Sequence, residues 1–170
     1  KSEIFDNIWV QPASGDAGGS LGAALALWYD EQNNPRLINL KDDMQGSYLG
    51  PEYTQSEIEK ELKTIGAKFE ILTEDNLINK TAEDLSKGNA IGWFQGRMEF
   101  GPRALGGRSI LGDARSSDMQ KILNLKVKYR ESFRPFAPSI LNEDLNEWFD
   151  MNCDSPYMLM VSKINKKKIF

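Results

Sequence analysis

Residues Ala90–Asp113 read AIGWFQGRMEFGPRALGGRSILGD. The opening AIGWF is an apolar run short enough to be a buried strand. From Gln95 the composition changes, with Gly96, Gly101, Gly106, Gly107 and Gly112 interleaved with Arg97, Arg103 and Arg108. Glycine lets backbone N–H groups approach an anion closely, and arginine presents a planar fork that matches phosphate or carboxylate. Glycine turns carry the arginines from one to the next, so the spacing predicts that the three converge on one ligand. Surface ion pairs on plain turns would produce the same pattern. The spacing also leaves a nucleotide, a phosphorylated substrate and a polynucleotide open as the anion.

Downstream, a helix is expected from Ser116–Asp118 to about Leu125 or Val127. The segment VKYRESFRPFAPSIL follows; Lys128 and Arg130, two apart in a strand-like stretch, are expected on one side of it, with Arg134 completing a second basic element. NEDLNEWF reads as a helix closed by the Met151–Pro156 loop, and Tyr157–Ile164 (YMLMVSKI) as a strand. Upstream, Thr81–Lys87 reads as a helix opened by a T-x-E-D cap and closed by Gly88. Lys68–Leu72 alternates as a strand, and Ser56–Ile65 is an amphipathic helix stopped by Gly66. Residues 36–51 read as loop. Leu21–Gln32 is a run of helix formers stopped by Asn33-Asn34-Pro35, behind a glycine-rich turn and a short strand at Ile4–Val10. The class is α/β (α+β) with a mixed twisted sheet.

The glycine-rich stretch Ala13–Leu25 (ASGDAGGSLGAAL) poses a second anion question, because such turns leading into helices bind phosphate. Asp16 within it is a candidate cation ligand. Close helix packing by Gly22, Ala23 and Ala24 explains the same residues. The stretch is neither a P-loop, lacking G-K-[ST], nor a Rossmann fingerprint.

Composition narrows the chemistry. The chain has 170 residues, 40% hydrophobic and 27% charged, which is globular rather than disordered. It has no histidine, so no Ser-His-Asp or Cys-His pair and no His-based zinc site can form within it. Its one cysteine, Cys153, excludes an internal disulfide, fits a reducing cytoplasm, and has no histidine to activate it. The longest apolar run, Leu21–Tyr29, is about half of the ~20 residues of a membrane span. A start at Lys1 rather than Met is read as a piece of something larger. The Lys163–Lys168 tail reads as a solvated end, and the scattered tryptophans as core or interface. Net charge is −4, yet the stretch from Arg97 to Arg134 holds nine Lys/Arg against four acids. Positive charge is therefore concentrated where the anion motifs lie.

Gly92–Leu111 (GWFQGRMEFGPRALGGRSIL) and Asn124–Leu141 (NLKVKYRESFRPFAPSIL) together resemble the NodU/CmcH type of O-carbamoyltransferase, the family of the tobramycin, cephem and nodulation-factor carbamoyltransferases. The likeness extends through Tyr48–Glu59 and Ala13–Leu25. Gly106-Gly107-Arg108-Ser109 stands where the family has G-N-R-S, and Gly112-Asp113-Ala114-Arg115 where it has A-D-P-R; the charged positions are kept. The resemblance implies two fused units. Residues 1–45 would close an actin/hexokinase-like (Kae1-like) domain, and residues 46–170 would be YrdC-like and truncated.

It further implies an ATP-dependent enzyme that makes carbamoyl-adenylate from carbamoyl phosphate and ATP, then passes the carbamoyl group to a substrate hydroxyl. Arg108, Lys128 and Arg130 would be catalytic, with Lys128-Tyr129-Arg130 matching the K-x-R element of YrdC proteins. Arg97, Arg103, Ser109, Asn124 and Arg134 would bind ATP and carbamoyl phosphate. Asp16 would be the metal ligand. ATP, Mg2+ and, in the full-length Kae1-like domain, iron are the implied cofactors; the iron-binding histidines lie outside this chain. The expected partners are these small molecules, a hydroxyl acceptor and the rest of the parent polypeptide, with no membrane, in the cytoplasm. This chain alone is not expected to complete the transfer. The alternative is an RNA-binding YrdC-like module without transferase activity. Net negative charge and the absence of aromatics clustered among the basic residues speak against nucleic acid.

Overall fold

The computed structural model describes residues 4–6, 8–39 and 41–165. In chain order the regular elements are α1 (Asp16–Ala26), α2 (Gln55–Thr64), α3 (Glu74–Ser86), β1 (Ile91–Phe94), β2 (Arg108–Leu111), α4 (Met119–Ile122) and α5 (Leu145–Trp148). Single π-helical turns extend α1 (Leu27–Glu31) and α4 (Leu123–Val127). The chain divides into two compact units. One takes Lys1–Gly50, Arg97–Leu105 and Asn142–Phe170; the other takes Pro51–Gly96 and Gly106–Leu141.

In the first unit the glycine-rich stretch is helix from Asp16 onward, not the turn expected before Leu21. The reason is packing at Gly18. A Cβ there would lie 2.3 Å from the Ala13 carbonyl oxygen, whereas Gly19 and Gly22 face open space. Gly101, at φ +108°, lies close against Ala13 as well, and a Cβ on it would meet the Ala13 Cβ at 2.6 Å. The 97–105 segment is thereby seated beside the start of α1. Ser47, buried in a 3-10 turn (Gln45–Ser47), accepts from the Phe100 N–H at 2.6 Å, and the Gly50 N–H donates to Met98 at 2.9 Å. Buried Glu99 accepts from the Leu105 N–H at 2.7 Å. The Tyr48 hydroxyl donates to the Leu105 carbonyl, and burial followed by the Glu99 charge pushes that phenol up. Elsewhere in this unit, the Tyr157 hydroxyl donates to the Asp42 carboxylate and accepts from the Gly46 N–H. That bond chiefly holds Asp42 below the usual carboxylate range, while burial and then Asp42 push Tyr157 up to about 12.

In the second unit Thr54 and Glu57 form a reciprocal capping box that starts α2, and Gly66 at φ +68° follows its end. Helix α3 starts at Glu74, seven residues before the expected start at Thr81. The cap in use is Thr73, whose hydroxyl accepts from the Asn76 N–H, and Thr81 lies mid-helix. α3 packs against β1. β1 pairs antiparallel with β2 in the register Ile91↔Leu111 to Phe94↔Arg108. Beyond β2 the chain passes over Met119 and Leu123, two buried apolar side chains. Gly112 makes this possible: a Cβ there would lie 2.9 Å from the Met119 sulfur and 3.0 Å from Leu123.

The mixed α/β content is as expected, but among the described residues the sheet has two strands and is antiparallel. Ile4–Val10 (Asn7 lies outside the described residues), Lys68–Leu72 and Tyr157–Ile164 form no ladder. An isolated bridge, Phe149↔Ile164, is what the last of them contributes. Alternation suits a residue to a sheet face without supplying a partner strand, and Met158 at φ +53° interrupts the extended backbone. Lys166–Lys168 of the expected solvated tail lie outside the described residues. Among those described, no helix is long and apolar enough to cross a membrane.

The glycines of α1 make a direct test. Gly19→Ala and Gly22→Ala are expected to stabilise the chain by up to about 1 kcal/mol each through helix propensity. Gly18→Ala is expected to destabilise it despite the same gain, because the obstacle is backbone. Urea unfolding of the three variants checks the contrast; equal effects at all three would contradict it.

Candidate anion-binding site

The basic loop after α4 is built around Asn124. As the π-helical turn ends, the Lys128 N–H donates to the Leu123 carbonyl and the Arg130 N–H to the Asn124 carbonyl, both at 2.9 Å. Between them Tyr129 takes φ +49°, which costs a bulky L-residue roughly 1–2 kcal/mol. Its side chain is 86% exposed, so packing of that ring does not offset the cost. Asn124 itself is fully buried. Its Nδ2 donates to the Ser132 carbonyl (3.1 Å) and the Arg134 carbonyl (2.8 Å), and its Oδ1 accepts from Arg130 Nε at 2.6 Å. From α4, Gln120 Nε2 donates to the carbonyls of Phe133 (3.2 Å) and Arg134 (3.1 Å).

This geometry replaces the expected strand. Lys128 and Arg130 flank a left-handed residue rather than alternating along an extended segment. The Arg130 guanidinium carbon stands 4.9 Å from the centre of the Phe136 ring, a cation–π distance. With Nε held by Asn124, the Nη groups of Arg130 donate to no described residue, and neither does the exposed Lys128 ammonium. Arg134 pairs through Nε with Glu131 at 2.7 Å. Glu131 is held below the usual carboxylate range by its own backbone N–H first and by Arg134 second.

Arg108 is used differently. It sits opposite Phe94 in the β1–β2 ladder, with its guanidinium carbon 3.4 Å from that ring centre. Nη1 donates to the carbonyls of Gln95 (3.0 Å) and Gly107 (2.7 Å); Nη2 donates to Gly96 (3.1 Å) and Pro51 (3.5 Å). The side chain thus fastens the turn that leaves β1. Ser109 Oγ accepts from the Gly106 N–H at 3.0 Å. Nearby in sequence, Arg115 hydrogen bonds hold the Asp113 carboxyl at about 2.

The remaining expected site residues belong to the first unit. Arg97 Nη1 donates to the Gly50 carbonyl at 3.1 Å. Arg103 lines a cavity of about 210 Å³ with Ser14, Gly15, Ser47, Phe100 and Tyr157. Of the three arginines expected to converge, Arg97 and Arg103 belong to one unit and Arg108 to the other. Asp16 is the exposed first residue of α1. Among the described residues no group of three His, Cys, Asp or Glu could hold a metal ion. The sequence reading missed Phe94, Phe136 and Gln120. Gln120 carried a signal, since it lies four residues before Asn124 and so on the same helix face.

A family model described as the carbamoyltransferase C-terminus matches residues 82–169, over half of the chain. The chain belongs to this carbamoyltransferase C-terminal family, and the resemblance drawn from its motifs is borne out. An uncharacterized protein of Synechocystis sp. is 53% identical over 165 residues, 96% of this chain and 27% of that protein. Nodulation protein NolNO of Sinorhizobium fredii is 43% identical over 173 residues, 99% of this chain and 25% of that protein. The 3'-hydroxymethylcephem-O-carbamoyltransferase of Streptomyces clavuligerus is 32% identical over 163 residues, 96% of this chain and 29% of that protein. The chain spans between a quarter and three tenths of the length of these curated relatives.

The Arg108 contacts predict a loss of stability on its removal. Arg108→Ala should cost about 2 kcal/mol, since it leaves several carbonyls without their donor and the Phe94 ring without its cation. Arg108→Lys should recover less than half of this, because an ammonium neither forks nor stacks. Urea unfolding measures both, and a loss below about 0.5 kcal/mol for the alanine variant would contradict the assignment.

Proposed function

We propose that this chain supplies the anion cradle of an ATP-dependent O-carbamoyltransferase. The observation that carries the reading is the loop at Lys128–Arg130, whose ammonium and Nη groups donate no hydrogen bond to a described residue while the backbone beneath them is fixed by Asn124. Family membership and relatives named for carbamoyl transfer support the reaction class.

The chemistry asks for such a site. Carbamoyl phosphate is first hydrolysed to carbamate and phosphate. A carbamate oxygen then attacks the α-phosphorus of ATP, forming the new O–P bond while the bond to the bridging oxygen breaks and pyrophosphate leaves. In the second stage the acceptor hydroxyl oxygen attacks the carbamoyl carbon, AMP leaves, and the hydroxyl proton passes to a base or to water. Charge develops on phosphate oxygens in the adenylation step, where fixed cationic donors stabilise it most. Lys128 and Arg130 are proposed to meet that charge, with Arg134 and Ser109 proposed as further anion contacts and Arg108 holding the β1 turn. Arg103 and Arg97 are proposed to serve anion contacts in the first unit. Mg2+ with the ATP, and Asp16 as a metal ligand in the whole protein, belong to the same proposal, and no step here is routed through a metal. Residues 46–170 as a YrdC-like portion and 1–45 as the end of a Kae1-like portion belong to the same proposal.

The test uses the full-length protein with ATP, carbamoyl phosphate and labelled pyrophosphate. Label is expected to enter ATP only when carbamoyl phosphate is present, and Lys128→Ala or Arg130→Ala should slow that exchange by about a hundredfold or more. Absence of exchange in the wild type would overturn the adenylate route, and unchanged exchange in both variants would overturn the site.

A further inference from the structure

We infer that Asn124 is a positioning residue: it acts on the bound anion through Arg130, by fixing the backbone from Lys128 to Arg134, without touching the ligand. This rests on the reading of that loop as the anion site. Both N–H donors of the Asn124 amide are used inside the protein, on the Ser132 and Arg134 carbonyls, and its Oδ1 accepts from Arg130 Nε. The side chain is fully buried, which removes it from contact with a diffusing ligand. Its backbone carbonyl holds the Arg130 N–H as well, so one residue sets both the main chain and the side chain of Arg130.

The consequence for Arg130 is directional. An arginine tethered at Nε cannot swing freely about its last torsions, and its two Nη groups are left as a preset pair of donors. The Phe136 ring at 4.9 Å limits the remaining rotation. Preset donors lose less side-chain entropy when an anion arrives. The left-handed Tyr129 between the two cations persists because bonds on either side over-determine it. Gln120 supports the same stretch from α4 at the Phe133 and Arg134 carbonyls, and its own side chain is exposed.

Inorganic pyrophosphate is the probe, titrated calorimetrically into the full-length protein as wild type, Asn124→Ala, Arg130→Ala and the double variant. Asn124→Ala is expected to weaken binding about tenfold, and the double variant to bind no more weakly than Arg130→Ala alone, since two residues acting through one guanidinium are not additive. Losses that multiply in the double variant, or unchanged affinity in Asn124→Ala, would overturn the inference, as would a wild type that does not bind pyrophosphate. Should Asn124→Ala lose its cooperative melting transition, Gln120→Ala takes its place. That exposed position loosens the same carbonyls, with roughly threefold weaker binding expected; unchanged affinity there overturns the inference. The exchange reaction is run beside the titration. Silent exchange with Asn124-dependent pyrophosphate binding refutes the proposed reaction and leaves the positioning role standing. Active exchange with Asn124-independent binding does the reverse.

Discussion

The hydrogen bonds of a single buried amide set the geometry of the second unit's basic face. Asn124 lies under a loop that would otherwise be an irregular, basic, solvent-facing segment, and it converts three points of that loop into fixed positions. The magnitude favours a stable arrangement. A buried amide without partners costs about 1–3 kcal/mol, so a loop conformation that leaves Asn124 unsatisfied is disfavoured by an amount comparable to the strain stored at Tyr129. The π-helical turn preceding the loop has the same effect, because its wider ring of bonds delivers Lys128 and Arg130 from the end of a helix instead of from a strand.

The two central arginines of the motif are separated by what their donors do. Arg108 places both Nη groups on backbone carbonyls and its plane over Phe94. Arg130 gives up only Nε and keeps its Nη pair. Equal charge in the sequence thus becomes a fastener at Arg108 and, at Arg130, a cation whose Nη groups donate to no described residue. For phosphoryl chemistry the second kind is what matters, since electrostatic stabilisation requires donors that are held but not already satisfied.

Local signals in the sequence carried much of this. The amphipathic helix at Ser56–Ile65, the glycine stop at Gly66, the apolar strand at Ile91–Phe94 and the helix beginning near Asp118 were all legible because capping and periodicity act within a few residues. Strand pairing was not, because alternation at Lys68–Leu72 or Tyr157–Ile164 says nothing about whether a partner lies alongside. The start of α1 was misplaced because glycines 18 and 19 argue against helix until the Ala13 carbonyl is seen pressing on Gly18. Charge concentration between Arg97 and Arg134 was legible in the sequence as well. Which arginines share a compact unit depends on contacts distant in sequence, as does the commitment of Asn124. Composition alone had excluded histidine chemistry within this chain, and the arginine and lysine donors described here are consistent with that.

The central claim is that the loop is organised before any ligand binds, and amide hydrogen exchange by NMR on the ligand-free protein tests it most directly. The N–H groups of Lys128 and Arg130, bonded to the Leu123 and Asn124 carbonyls, should exchange about a hundredfold or more below the rate of an unstructured peptide. Exchange of both at the unstructured rate would contradict the account.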